Sequence, residues 1–386
     1  MPTLSLPTAE RRIEGYTTRP PRALPAATLP FARIAFSAAH VVADPLADHE
    51  PWGAPAIDWD RTIAYRRHLW SLGLGVAEAM DTAQRGMGLD WPTSLELIGR
   101  SLDAARDVPD ALIASGAGTD HLMPGPDVTI DQVIAAYETQ CAAVEQLGGR
   151  IILMASRALA SAARGPDDYV RVYDRILTQV RQPVIIHWLG EMFDPALAGY
   201  WGTADHGAAM TTCLDVLQAH AGKIDGIKIS LLDKDKEIVM RRRLPQAMRM
   251  YTGDDFNYAE LIAGDAAGHS EALLGIFDAI APAAAAALGS LTRGDLAQFH
   301  EILAPTVPLS RHIFRAPTRF YKTGIVLMAY LNGHQDHFTM VGGQQSARSA
   351  LHLAELFRLA DQAGLLADPG RACRRMAAVM ATHGVV

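Results

Sequence analysis

Lys228 stands in the run Asp225-Gly226-Ile227-Lys228-Ile229-Ser230-Leu231-Leu232, a charged amine inside a short apolar stretch. With the period of two of a β-strand, Gly226, Lys228 and Ser230 share one face, and Ile227, Ile229 and Leu231 share the other. An amine held away from water loses the hydration that stabilises its cation, and a buried lysine can titrate roughly 3–5 pH units below a free one. The neutral amine is a nucleophile toward carbonyl carbon and can form a Schiff base. The plainer alternative is a lysine near a strand edge whose stem snorkels to water. His187 lies near the end of Pro183-Val184-Ile185-Ile186-His187-Trp188-Leu189-Gly190, where alternation puts Ile185 and His187 on one face. A neutral imidazole beside a nucleophilic amine suits the proton movements of carbinolamine and imine steps. Otherwise His187 is a core histidine packed beside Trp188.

Further candidates follow the same logic. Glu78, in Gly75-Val76-Ala77-Glu78-Ala79-Met80, is a carboxylate in an apolar run and needs a partner: substrate, Arg85 or another buried cation. Tyr251-Thr252-Gly253-Asp254-Asp255 ends a later apolar run, where the two aspartates serve either a ligand or a turn and cap. His269 and Ser270, in Gly268-His269-Ser270-Glu271, bind a substrate oxygen or cap a loop. His334-Gln335-Asp336-His337 has metal-like residue types but follows Asn332-Gly333 in a helical tail, which favours a solvated loop. Arg241-Arg242-Arg243 reads as a solvated face.

These residues need a scaffold, and the chain supplies a regular one. Apolar runs at 33–39, 75–80, 111–115, 150–155, 183–188, 227–231, 247–251 and 265–276 read as strands. Most are followed by amphipathic stretches, at 59–72 (with Asp58 as N-cap and Gly73 as stop), 92–106, 130–147, 166–180 and 207–221. Eight such units in about 250 residues match a (β/α)8 barrel, an α/β TIM barrel. A doubly wound open sheet is the competitor, but no GxGxxG or GxxxxGK[ST] turn occurs. Residues 1–30, with Pro20, Pro21, Pro25 and Pro30, read as an extended arm without regular structure. Residues 31–282 form the barrel and 283–386 a C-terminal helical domain. In the barrel, function belongs at the C-terminal ends of the strands.

Composition narrows the class. The 386 residues are 49% hydrophobic and 20% charged, ordinary for a globular protein. A net charge of −7 argues against nucleic acid or an anionic membrane as partner. Cys141, Cys213 and Cys373 lie far apart without zinc spacing, which fits a reducing compartment. With neither a signal-like apolar segment nor a run of roughly 18 apolar residues, the expectation is a cytoplasmic protein.

The order of the pieces resembles the dihydrodipicolinate synthase/N-acetylneuraminate lyase family of class I aldolases, over roughly 33–365. Gly226-Ile227-Lys228-Ile229-Ser230 is similar to that family's Schiff-base strand, and Pro183-Val184-Ile185-Ile186-His187-Trp188 to its strand-five segment. Tyr251-Thr252-Gly253-Asp254-Asp255 resembles its Ser-Gly-Asp-Asp-type segment. Ala316-Pro317-Thr318-Arg319-Phe320-Tyr321-Lys322-Thr323-Gly324, followed by Leu331-Asn332-Gly333, resembles its C-terminal helical segment. The resemblance implies a lyase or aldolase acting on a 2-oxo acid or a sugar-derived carbonyl compound, with Lys228 as nucleophile and no cofactor or metal. The family's strand-five tyrosine is His187 here, so His187 and Tyr251 are rival proton carriers. Its Gly-Thr-Thr-Gly-Glu-like loop is replaced by Thr82-Ala83-Gln84-Arg85-Gly86, which weakens the case for pyruvate as donor and leaves Arg85 as a substitute anion contact. The expected substrate-binding set is Thr82, Arg85, Glu78, Gly253, Asp254, His269 and Ser270. The departures place the chain on a distant branch. Two rivals stand beside this reading. One is a metal-dependent isomerase, epimerase or class II aldolase using Glu78, His187 and His269. The other is a non-catalytic barrel that binds a sugar acid. The long helical tail further suggests a homo-oligomer, a dimer or tetramer.

Overall fold

The eight apolar runs fold as parallel strands and close on themselves. The computed structural model describes residues 1–385. After β1 (Thr3–Pro7) and β2 (Ile13–Thr17) come the barrel strands β3 (Ala35–Ala38), β4 (Gly75–Glu78), β5 (Ile113–Ala117) and β6 (Ile151–Leu153). They are followed by β7 (Val184–Leu189), β8 (Ile224–Ser230), β9 (Arg249–Thr252) and β10 (Glu271–Leu274). The ring runs β10-β3-β4-β5-β6-β7-β8-β9, every pair parallel. This is a (β/α)8 barrel with additional C-terminal helices.

Strand alternation sorts the side chains into two cores. Ile186, Trp188, Ile227 and Ile229 face the surrounding helices. Phe36, Ala77, Ala114, Ile152, Ile185 and Tyr251 fill the barrel axis. Two aromatic and a few aliphatic side chains fill it, because the interior narrows to side-chain width in an eight-stranded ring. Gly226 is part of that fit: a Cβ on it would lie 2.8 Å from the Tyr251 ring. The helices start where the sequence predicts. The Asp58 carboxylate accepts the Arg61 N–H at 2.9 Å, and Thr129 and Gln132 form a reciprocal capping box.

The N-terminal segment departs from expectation. Residues 1–30 are not an arm without regular structure; β1 and β2 pair as an antiparallel hairpin, and regular structure stops only at Thr17. Leu4 and Leu6 bury against the C-terminal helices, and the Tyr16 hydroxyl donates to Asp361 at 2.8 Å. The prolines that suggested an arm all lie beyond the hairpin. Helices from Ala281–Thr292 to Pro369–Thr382 complete the chain. One of them, Tyr321–Asn332, reaches the barrel mouth, where the Tyr321 hydroxyl meets the Thr82 hydroxyl at 2.8 Å. Among the described residues no helix is long and apolar enough to cross a membrane.

Candidate active site

Lys228 and His187 are register partners on β8 and β7. Both point inward, because Ile227, Ile229, Ile186 and Trp188 take the outward positions. The Lys228 side chain is 7% exposed, and among the described residues no carboxylate stands at ion-pair distance from its nitrogen. Its stem passes over Gly253, where a Cβ would lie 2.8 Å from Lys228 Cε and 2.2 Å from Ser230 Oγ. Only a residue without a side chain fits between β8 and β9 at that level.

Burial works against the charged form of the amine. Burial pulls the Lys228 pKa down, and the charges of Asp255 and Asp81 only partly oppose it. Burial likewise raises the Asp255 carboxyl, against the pull of the Ile276 N–H at 2.8 Å and of Lys228. Burial thus disfavours the charged form of both groups, and each charge partly offsets that for the other. His187 is fully buried, and burial first, then the Lys228 charge, hold its pKa well below the usual imidazole range. It is therefore a neutral ring, with Nε2 3.2 Å from the Ser230 hydroxyl and no partner at Nδ1.

The mouth above these groups is formed by loops that follow the strands' C-terminal ends. A cavity of about 250 Å³ is lined by His187, Asp81, Arg85, Asp120, Arg157 and Asp194, among others. A second, of about 310 Å³, shares Asp81, Arg85, Arg157 and Asp194 and adds Arg319 and Lys322 from the C-terminal region. Lys228 lines neither, and the carboxylates whose charges act on its amine are Asp255 and Asp81.

Several expected site residues lie elsewhere. Ala77 points to the barrel axis, so Glu78 must point to the helices. There its two oxygens accept from Arg66 Nε and Nη2, both at 2.9 Å, and from the Ser101 hydroxyl at 2.6 Å. It is the buried ion pair of the plainer alternative, with Arg66 in place of Arg85. His269 and Ser270 precede β10 and sit at the N-terminal end of the ring, away from the mouth; Ser270 donates to Glu237 at 2.7 Å. With Glu78 outside the barrel and His269 at its base, the metal set of Glu78, His187 and His269 is not assembled. Tyr251 faces inward, but its hydroxyl donates to Asp225, at 2.6 Å, three residues before Lys228. That hydroxyl points to the N-terminal end and is not the rival proton carrier. Asp254 accepts the Phe256 N–H at 2.8 Å and both Asn257 N–H groups, as a turn residue does.

Arg85 does line both cavities, but its donors are spent. Nε and Nη2 grip Asp120 at 3.0 and 2.7 Å, Nη1 donates to the Gly116 and Ala79 carbonyls, and Nη2 also meets Gln140. All five N–H groups have acceptors, so Arg85 braces the mouth rather than offering a free anion contact. Thr82 is at the mouth with its hydroxyl on Tyr321. Sequence reasoning passed over Asp81, Arg157, Ser230 and Lys322 as site residues. Ser230 was legible from the strand period; the others required knowing which loops meet.

A family described as a protein of unknown function (DUF993) matches residues 4–385. No curated protein matches the chain. Among solved structures, dihydrodipicolinate synthase from Aquifex aeolicus is 12% identical, with a TM-score of 0.63, and the match covers 86% of this chain and 99% of that one. The chloride-inhibited dihydrodipicolinate synthase from Acinetobacter baumannii, complexed with pyruvate, is 16% identical, with a TM-score of 0.62 and the same shares covered. YagE from E. coli, a prophage protein of the dihydrodipicolinic acid synthase family in complex with pyruvate, is 13% identical, with a TM-score of 0.63 over 92% of this chain and 99% of that one. The resemblance read from the sequence thus holds at the level of fold.

Proposed function

We propose, for a chain that belongs to this family of unknown function, a Schiff-base-forming lyase or aldolase acting on a 2-oxo acid or a sugar-derived carbonyl compound. One observation carries the reading: a buried, inward lysine without an ion-pair partner, its pKa drawn down by burial, beside a neutral imidazole. Two proteins of the same fold hold pyruvate in their structures, which supports a carbonyl substrate at this mouth.

In this mechanism the Lys228 nitrogen adds to the substrate carbonyl carbon. Its proton passes to the carbonyl oxygen, which leaves as water after a second protonation, and an iminium remains. The iminium draws electrons from the neighbouring carbon, so the next carbon–carbon bond can break with its electron pair retained as an enamine. Hydrolysis returns the amine. His187, with one nitrogen unpartnered and the other on Ser230, carries protons to and from the oxygens. Asp255 takes or returns the amine's proton.

Borohydride reduction in the presence of a panel of 2-oxo acids and aldoses tests the reading. The expected result is a mass increment equal to the reduced substrate, on the peptide containing Lys228. Absence of any adduct across the panel, with the protein folded, removes the imine mechanism.

A further inference from the structure

The mouth contains a second buried lysine that the imine chemistry does not use. Lys322 opens the helix Tyr321–Asn332 and is 4% exposed. Its nitrogen donates to the Arg319 carbonyl at 3.0 Å, touches the Met87 sulfur at 3.3 Å, and lies 4.7 Å from the centre of the Tyr321 ring. Among the described residues no carboxylate pairs with it. A buried ammonium held by one carbonyl, a weak sulfur acceptor and a ring face is under-coordinated, and buried cations are ordinarily paired.

Two more cations stand beside it. The exposed Arg319 guanidinium lies 4.9 Å from the centre of the Phe320 ring and has no carboxylate partner among the described residues. Arg157 gives Nε to Asp194, while Nη1 lies against Gly86, where a Cβ would approach to 2.6 Å. Gly86 also has φ +70°, so both its backbone and the arginine call for glycine. The second chamber is lined by four cations, Arg85, Arg157, Arg319 and Lys322, and by two carboxylates, Asp81 and Asp194. The chamber beside His187 has the opposite balance, Arg85 and Arg157 against Asp81, Asp120 and Asp194. One mouth therefore has a slightly acidic end near the imidazole and a basic end beneath the C-terminal helix.

We infer that the second chamber is an anion subsite, in which Lys322, Arg319 and the free Nη groups of Arg157 hold a carboxylate or phosphate at the substrate end remote from the reacting carbonyl. The inference deepens the proposed reaction and rests on it for the word substrate; the anion site itself does not depend on imine formation. It also answers a difficulty at the loop 82–86. With Arg85 spent on Asp120 and Thr82 on Tyr321, little remains there to hold a carboxylate next to the carbonyl carbon. Charge recognition is transferred to the far end of the ligand. The substrate class is then a carbonyl compound with a distal acid or phosphate group, longer than pyruvate.

Lys322 is pushed down to about 8, by burial and by Arg157 and Arg319, while Asp81 and Asp194 hold it up. Mostly protonated at neutral pH, it loses its charge as pH rises through that value, and anion affinity falls with it.

Titration calorimetry of the full chain with inorganic phosphate and, separately, with malonate tests the subsite at neutral pH and low salt. One saturable site is expected for at least one of the two anions. Lys322→Gln should weaken it about tenfold and the exposed Arg319→Ala about threefold, as loss of a charge-assisted contact predicts. Lys228→Met should bind the anion as the unaltered protein does, which separates failure of the subsite from failure of the imine reading. A preference for phosphate marks a phosphorylated substrate and a preference for malonate a second carboxylate; either supports the subsite. No binding of either anion overturns it, as does equal binding by the unaltered protein and both the Lys322→Gln and Arg319→Ala variants. Should Lys322→Gln fail to fold, Arg319→Ala alone decides.

Discussion

Two sets of buried charge lie on opposite sides of the ring of strands, and they are built on opposite rules. At β4 every group is saturated: Glu78 holds Arg66 and Ser101, and each Arg85 N–H has an acceptor. At β8, four strands away, the groups are short of partners: Lys228 has no ion pair and His187 Nδ1 no hydrogen bond. Both sets are buried, so burial alone does not distinguish structure from chemistry. The difference is in the hydrogen-bond count. A fully paired charge has no capacity left for a ligand, whereas an unpaired one in the interior is destabilising unless something else uses it.

The largest effect that can break this contrast is Lys228→Met. It should abolish reductive trapping and lower turnover by about 10⁴-fold or more. Its fold should survive, since a methionine fills the same space without an unpaired amine. A base whose folded pKa is depressed contributes stability above its unfolded value near 10.5 that is lost as pH falls. The methionine variant escapes that loss, so at neutral pH it should melt at or above the temperature of the unaltered protein. A lower melting temperature would mean that Lys228 is structural after all. For the unaltered protein, trapping should rise with pH and level off below 10.5, the value of a free lysine. His187→Asn comes next, with a loss of about 10²–10⁴-fold in turnover and the imine adduct still formed, because a proton carrier is removed but the nucleophile is not. Equal loss of adduct and turnover would assign His187 to binding.

The contrast also explains what the sequence could tell. The strand period placed Lys228, Ser230 and His187 on inward faces, since alternation is local and needs no partner to be read. The same period applied to Ala77 and Glu78 would have turned Glu78 outward, but a carboxylate in an apolar run drew the eye to function. His269 and Ser270 were misplaced by only a few residues: the strand starts at Glu271, so they fall before it and at the wrong end. Arg85 was rightly put at the mouth, yet its exhaustion by Asp120 and Gln140 depends on groups 35 and 55 residues away, which no local pattern reveals. Lys322, 94 positions after Lys228, meets the mouth only because the C-terminal helix folds back over it.

On the saturated side the predictions concern stability. Glu78→Ala leaves the Arg66 guanidinium buried without its carboxylate, which should cost about 3–5 kcal/mol in chemical denaturation. Trapping per folded molecule should be unchanged, and a variant that is stable but inactive would restore Glu78 to the site.

Arg85→Lys gives the smallest effect and the finest discrimination. An ammonium has three donors where the guanidinium has five, and it cannot grip both Asp120 oxygens in a plane. Two of the acceptors now served, among Asp120, Gln140 and the Gly116 carbonyl, would lose their partner. The expected destabilisation is about 1–3 kcal/mol by denaturant titration, with the cationic charge retained at the mouth. If Arg85 is a brace, stability falls while the concentration of a 2-oxo acid needed for half-maximal trapping stays near that of the unaltered protein. If it is instead an anion contact, the order reverses, and the half-maximal concentration moves while the denaturation midpoint does not. That outcome would bring the β4 side of the mouth under the rule that governs β8.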